Sequence, residues 1–295
     1  MGGLSSEREI SLSTGNAVLE AIRIKGLNVL AMDVNHQIAE KLTAEKIDLA
    51  FIALHGTYGE DGAIQGVLEY LKIPYTGSGV LGSALAFNKA TSKAIFKANN
   101  IPTAGFTLVR YEKGERTDVP LPLPLVVKPV DQGSSLGITI VREATQWQEA
   151  LNVAFKYSTE IIIETFIEGK LLAIGMDGEQ PMPIVHIVPQ SRFYDYEAKY
   201  TPGKTDYHCP ADLAEIETQR CHKVAVQVVR ALHSRGFCRV DLILDERGIP
   251  QVLELNTIPG LTPTSLLPKA AKQSGLEFED LILKMLNNAQ LDYFN

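Results

Sequence analysis

Arg239, Asp241, Glu254 and Asn256 stand in two alternating apolar–polar runs that flank Arg247-Gly248. With that dipeptide closing a two-residue hairpin, Asp241 falls opposite Glu254 and Arg239 opposite Asn256. Period-two alternation puts all four side chains on one face of the ribbon. Val240, Leu242, Val252, Leu253 and Leu255 around them are apolar, so the polar four interrupt a buried sheet. Two carboxylates and an amide oxygen at cross-strand distance are hard ligands suited to Mg²⁺. The same charges would also suit a solvated hairpin or an ion pair with Arg239.

A second chemical segment is Lys128-Pro-Val-Asp-Gln-Gly133-Ser134-Ser135-Leu-Gly137, between two strand-like runs. Gly and Ser in a tight turn leave backbone N–H groups and hydroxyls pointing outward, a nest for phosphate oxygens, and Lys128 adds charge. An ordinary Gly-rich turn has the same composition, and no Walker A pattern is present. Gly77-Ser-Gly79-Val-Leu-Gly82 spells a dinucleotide fingerprint, but the acid expected about 20 residues on is missing. It reads as a turn into a helix. His55 opens a polar cluster running through Glu60 to Gly62, directly after an apolar strand-like run. Phe193 to Tyr200 form a loop of aromatics and charges. Asn256 to Leu266 leave the hairpin for a helix start, where free N–H groups at Ser265 and Leu266 suit a carboxylate.

The elements that must carry these residues alternate between strand-like and helix-period stretches. Leu27–Ala31 and Leu49–Leu54 read as buried parallel strands, with a helix over Gly62–Leu71 and another over Asn88–Asn99. Next come strands near Phe106, at Leu125–Pro129, Ile138–Arg142 and Glu160–Ile167, with a helix at Gln146–Tyr157. Strands at Leu171–Met176 and Ile184–Val188 precede a helix from Asp212, with Asp212 and Glu215 as its capping box. Composition shifts divide the chain at 1–86, 87–168 and 169–295.

Length and balance narrow the class. The 295 residues carry 28 Lys plus Arg against 35 Asp plus Glu, a net charge of −7 that argues against nucleic acid as partner. No uncharged apolar run reaches the roughly 18 residues of a membrane span. Three dispersed cysteines suggest neither a disulfide framework nor a zinc site, and the N-terminus lacks a signal-peptide core. A cytoplasmic setting is expected.

The motifs GGLSSEREIS, ALHGTYGEDG, PYTGSGV, VVKPVDQGSSLG, YDYEAKY, RVDLILD and LELNTIPGLTPTSL, in this order, resemble the D-alanine–D-alanine ligases of the ATP-grasp superfamily. The resemblance implies a three-domain α/β and α+β ATP-grasp fold with an N-terminal parallel-sheet domain. It implies ATP, two Mg²⁺ (or Mn²⁺) ions, two molecules of D-alanine, and a homodimer. Lys89, Lys128 and Lys199 would serve the ATP phosphates, with Ser135 in the covering turn. Glu164 would accept from the adenine amino group, beside the backbone of Phe166 and Ile167. Asp241, Glu254 and Asn256 would hold the metals. Glu7 and His55 would receive the first D-alanine; Lys199, Ser265 and Leu266 would receive the carboxylate of the second. Glu7, Ser134 and Tyr200 would form a closing triad, and Arg239 with the Gly260 N–H would stabilise the oxyanion. Tyr200 favours a dipeptide over an ester product.

Three departures from that family pattern stand out. The chain begins at Met1-Gly2-Gly3, where a strand ordinarily precedes the glycines; the start lies upstream or the first sheet lacks a strand. Leu171 replaces the acid that ordinarily contacts the ribose, and Asn88 stands where Asp is common. Two other readings share the hairpin and phosphate turn. One is an ATP-grasp carboxylate–amine ligase with other substrates; the other is a catalytically impaired nucleotide binder.

Overall fold

The structure, a computed structural model, describes residues 1–111, 118–191 and 193–293, without the side chains of Tyr196 and Tyr200. The chain opens with helices α1 (Arg8–Ile24), α2 (Ile38–Ala44), α3 (Ala63–Leu71), α4 (Val80–Phe87) and α5 (Lys89–Ala98). Leu42, Ile52, Leu54, Ile64, Leu68 and Tyr75 bury a small core among the second and third of these. Asn88 caps α5, accepting from Thr91 N–H at 2.9 Å, which is what an Asn in place of Asp preserves.

The parallel strands expected at Leu27–Ala31 and Leu49–Leu54 do not form a sheet among the described residues. Leu27 and Leu30 are 44% and 54% exposed, and the parallel pairing found there is an isolated bridge that joins Ala50 to Tyr75. Met1 donates to the Met32 carbonyl at 3.1 Å and accepts from Val34 N–H at 3.2 Å. Pairing at a single residue cannot build a ladder, and an apolar run is buried as a strand only when neighbours cover it.

A four-stranded antiparallel sheet follows. It contains β1 (Phe106–Arg110), β2 (Leu125–Pro129), β3 (Thr139–Val141) and β4 (Glu160–Thr165), in the order β1-β4-β2-β3. Helix α6 (Trp147–Phe155) lays Trp147, Ala150, Leu151 and Ala154 on Leu125, Val127, Ile161 and Ile163.

The larger sheet is antiparallel in the order β7-β6-β5-β8-β9. Its strands are β5 (Gly169–Asp177), β6 (Gln180–Pro189), β7 (Thr205–His208), β8 (Phe237–Asp245) and β9 (Pro250–Asn256). The aromatic loop before β7 contains a short helix, α7 (Tyr196–Tyr200), capped by Asp195. Helix α8 (Glu215–Ala231) covers one face through Cys221, Val224, Val228 and the following Leu232; Ala86 and Phe96 join the same core. Helices α9 (Leu266–Gln273) and α10 (Phe278–Asn287), with α1, cover part of the other face.

The capping box of α8 is displaced from its expected place. Glu217 reaches back to Ala214 N–H at 3.0 Å, and Asp212 does not cap. Ala211 N–H is bonded to the Ile184 carbonyl at 2.8 Å, and Lys170 holds the Asp212 carbonyl. The segment is thereby kept extended along β6, and the helix starts only after it.

The fingerprint-like Gly77–Gly82 stretch is a turn into α4. A Cβ on Gly82 would meet the His233 carbonyl at 2.6 Å, so close backbone approach explains that glycine. The helix start is already satisfied from within the chain, because Val80 N–H donates to Asp292 at 2.9 Å.

Candidate active site

The metal-candidate hairpin pairs Asp241 with Glu254 and Arg239 with Asn256, as the alternation predicts. Two departures from the simple hairpin cancel. The turn holds three residues, Glu246, Arg247 and Gly248, with Gly248 left-handed at φ 70° and Asp245 N–H bonded to Ile249 O. A register shift past Leu242 then restores the expected partners. All four polar side chains line one cavity of about 810 Å³, on the part of the sheet face that α9 and α10 leave open.

Opposite the hairpin stand Lys89 at the start of α5 and Lys128 on β2, both buried. Lys89 Nζ donates to the Gln132 carbonyl at 2.6 Å and lies 3.4 Å from Glu254. Burial opposes ionisation of Glu254, but Lys89, Lys199, Lys128 and Arg239 hold its pKa down to about 2. Arg239 grips Asp241 through Nε and Nη2, each at 2.7 Å, and Asn256 donates to the same carboxylate at 3.0 Å.

The Ser-rich turn lines the cavity in an unusual backbone conformation. Ser134 and Ser135 both take left-handed φ, 51° and 61°, followed by Gly137 at 73°. L-residues seldom hold that conformation, so strain is retained at this turn. Ser134 donates to the Glu7 carboxylate, and Ser135 donates to the Tyr194 carbonyl at 3.1 Å. Ser6 meets Gln132 at 3.3 Å, so the start of α1 lies against this turn. Among the described residues Glu7 Oε2 finds no hydrogen-bond partner, and burial raises the Glu7 pKa above the usual carboxylate range. The Tyr200 side chain, third in the expected triad, lies outside the described residues.

His55 is buried against Thr14, 2.9 Å from its Oγ1. Burial, Arg239 and the N-terminal ammonium push its pKa down to about 4, so the ring is neutral at pH 7. Lys199 lies over the Tyr194 ring at 5.3 Å, and burial lowers its pKa. Ser265 stands just before the first turn of α9 and takes the Thr262 N–H on its hydroxyl at 3.1 Å; with Gly260 and Leu266 it lines the cavity.

At the other end, Phe166 and Ile167 line the cavity with Glu164. The Phe166 N–H is already donated to the Pro124 carbonyl at 3.2 Å, so that amide offers nothing further to a ligand. Glu164 is buried with Lys128 at 2.7 Å and Lys93 at 3.3 Å, both on Oε1. Burial opposes ionisation of Glu164, yet the two ammonium groups keep its pKa below the usual value. Leu171 lines the same cavity and pairs with Ile187 and Ile243, an apolar floor where the sequence pattern expects an acid.

Lys93 escaped the sequence reading, and Glu60 enters it only as part of the His55 cluster, with no role. Lys93 follows Lys89 by one helical turn, and like charges at that spacing repel unless acids face them. That spacing was the available signal. Glu60, inside the quoted ALHGTYGEDG motif, lines the cavity and accepts from Gly56 N–H at 2.7 Å. Burial first, then Glu7, raises its pKa to about 8.

Comparison with known proteins decides the family. The family model described as D-ala D-ala ligase C-terminus matches residues 95–287, and that described as D-ala D-ala ligase N-terminus matches 32–78. The chain belongs to the D-alanine–D-alanine ligase family. It is 47% identical to the D-alanine–D-alanine ligase of Trichlorobacter lovleyi, covering 99% of this chain and 94% of that protein. Identity to the Geobacter sulfurreducens ligase is 45%, over 99% and 93% of the two chains. The Bacillus anthracis ligase structure superposes with a TM-score of 0.87 at 34% identity, covering 98% of this chain and 95% of that one. The same Bacillus enzyme complexed with ATP gives 0.85 at 32% identity, over 98% and 94%. The fold is the ATP-grasp fold of the ligase family, and the cavity lies between its two antiparallel sheets.

Proposed function

We propose that this chain joins two molecules of D-alanine at the expense of ATP, releasing ADP and phosphate. The observation that carries the reading is one cavity lined by Glu7, Lys128, Ser134, Arg239, Glu254 and Ser265, which come from every part of the chain. Cations stand at its nucleotide end and a helix start at its far end. That is the equipment for phosphoryl transfer to a carboxylate followed by amine attack.

A carboxylate is a poor electrophile. The first D-alanine therefore attacks the γ-phosphorus of ATP through a carboxylate oxygen, forming an acyl phosphate and releasing ADP. The amine of the second then attacks the acyl carbon, and phosphate leaves from a tetrahedral intermediate. Lys89 and Lys128 neutralise phosphate charge, while the nest at Ser134 and Ser135 supplies donors without reorganisation. Glu164 accepts from the adenine amino group, and Ile167 offers its backbone beside it. Glu7, with His55 neutral nearby, holds the ammonium of the first D-alanine. The Glu7–Ser134 bond, with Tyr200 as third member, keeps the phosphate turn shut against water. Lys199 and the α9 start at Ser265 and Leu266 receive the carboxylate of the second D-alanine. Arg239 and the Gly260 N–H stabilise the developing oxyanion.

Among the described residues no group of three or more His, Cys, Asp or Glu is arranged for a metal. Asp241, Glu254 and Asn256 fit Mg²⁺ in donor chemistry, as two ionised carboxylates and an amide oxygen. Bound there, the cations spread the charge of the transferring phosphoryl group.

Within the described residues no helix is long and apolar enough to cross a membrane. We place the enzyme in the cytoplasm as a homodimer, supplying a precursor of the peptidoglycan wall. The experiment is phosphate release from ATP and Mg²⁺ with and without D-alanine, with product identified by mass. D-Alanine-dependent release with D-alanyl-D-alanine formed supports the reading. Release driven by another amino-acid pair would indicate a different ligase of this fold, and nucleotide binding without release would indicate a regulator.

A further inference from the structure

The two lysines on Glu164 are not equivalent. Lys128 lines the cavity that the proposed nucleotide would enter; Lys93 has no exposed surface and does not line the cavity. Lys93 Nζ is held by Thr103 Oγ1 at 2.6 Å, and Thr103 Oγ1 in turn donates to the Val252 carbonyl at 2.7 Å. Helix α5, the segment before β1 and strand β9 therefore fix its position. The charged groups around Glu164 are Lys93 from α5 and Lys128 from β2, with Glu254 of β9 acting on Lys93 at longer range.

We propose that Lys93 is a positioning residue for purine selection. It is the resident counter-cation that keeps Glu164 an ionised, acceptor-only group once Lys128 is committed to phosphate. This rests on the reading of Glu164 as the partner of the adenine amino group. An ionised carboxylate can only accept hydrogen bonds. It suits the 6-amino group of adenine and repels the 6-oxo group of hypoxanthine. A carboxylate left buried without a partner takes up a proton instead. The resulting neutral acid can donate to a 6-oxo group as well as accept from an amine, and discrimination is lost. Burial lowers the Lys93 pKa to about 8, which leaves the ammonium mostly charged at pH 7.

The test measures kcat and KM for ATP and for ITP with saturating D-alanine, in wild type, Lys93→Met, Lys93→Gln and Glu164→Gln. Lys93→Met raises KM for ATP by about tenfold or more, moves kcat by less than about threefold, and lowers the ATP-to-ITP preference by about tenfold. Lys93→Gln retains a donor to Thr103 and gives the same loss of preference, which separates charge from packing. Wild-type preference in either folded lysine variant, with Glu164→Gln losing it, overturns the role of Lys93 alone. Unchanged preference in Glu164→Gln overturns the adenine contact itself, and the role of Lys93 with it.

Discussion

Arg239 holds Asp241 from two residues away on the same strand, with Nε and Nη2 both 2.7 Å from the carboxylate. Side chains at i and i+2 share a face, so this grip lies inside the cavity and fixes the guanidinium plane. Burial opposes the charge, but Asp241 beside it raises the Arg239 pKa, so it stays cationic at any working pH. In the proposed reaction, a fixed cation next to the metal-candidate carboxylates would serve an oxyanion rather than nucleotide affinity.

Arg239→Ala is accordingly expected to lower kcat by roughly 10²–10³-fold, the range for loss of one preorganised donor. ATP affinity by calorimetry stays within a few-fold of wild type. Near-normal kcat would defeat the oxyanion role.

Leu171 offers a gain-of-affinity test. Where the family pattern expects a ribose contact, the cavity is floored by Leu171, Ile187 and Ile243, none of whose side chains can accept a hydroxyl proton. Leu171→Glu is expected to lower KM for ATP roughly fivefold through charge-assisted hydrogen bonds. Steady-state kinetics at fixed D-alanine read the change, and an unaltered KM counts against it.

Glu60 links the site to stability. Its pKa is about 8 in the fold, above the ordinary carboxylate value of 4.5, because burial and Glu7 disfavour the anion. The folded protein thus binds the Glu60 proton more tightly than the unfolded chain between pH 4.5 and pH 8. Stability from this group is present at low pH and is lost as pH rises through that window. Glu60→Gln keeps an acceptor for the Gly56 N–H and removes the titration. The melting temperature of the variant relative to wild type should rise steadily from pH 5 to pH 8.5, by thermal scans. A pH-independent gap would contradict the assignment.

Asp292 closes the molecule by accepting from Val80 N–H and from Arg235 at 3.0 Å. Asp292→Ala should cost about 1–2 kcal/mol, as for a lost helix cap, in urea titrations. Turnover per folded molecule should not change, because no cavity-lining residue is touched.

Much of the site was readable because alternation is local. Arg239 to Asn256 carry their facing directions in their spacing, and the hairpin needed only one turn to bring them together. Even there the pairing came out right through two compensating departures, a longer turn and a register shift. The parallel strands near the start were misread because apolar composition alone does not supply neighbours to cover them. Helix α7 hid in an aromatic loop, since a five-residue helix is too short to show a period. The Lys93–Glu164 pair spans 71 positions and two elements, and no local pattern encodes such a meeting.

The clamp at residues 290–292 has a bearing on biosynthesis. Tyr75 exchanges both backbone hydrogen bonds with Gln290, while Asp292 N–H reaches Glu69. A ribosome emits the partners of this seam more than 200 residues apart, so the leading third of a nascent chain waits unsealed until synthesis is nearly finished. Any shortened translation product that stops before Gln290 would leave Tyr75 with bare amide and carbonyl groups, a ready target for chaperones and proteases.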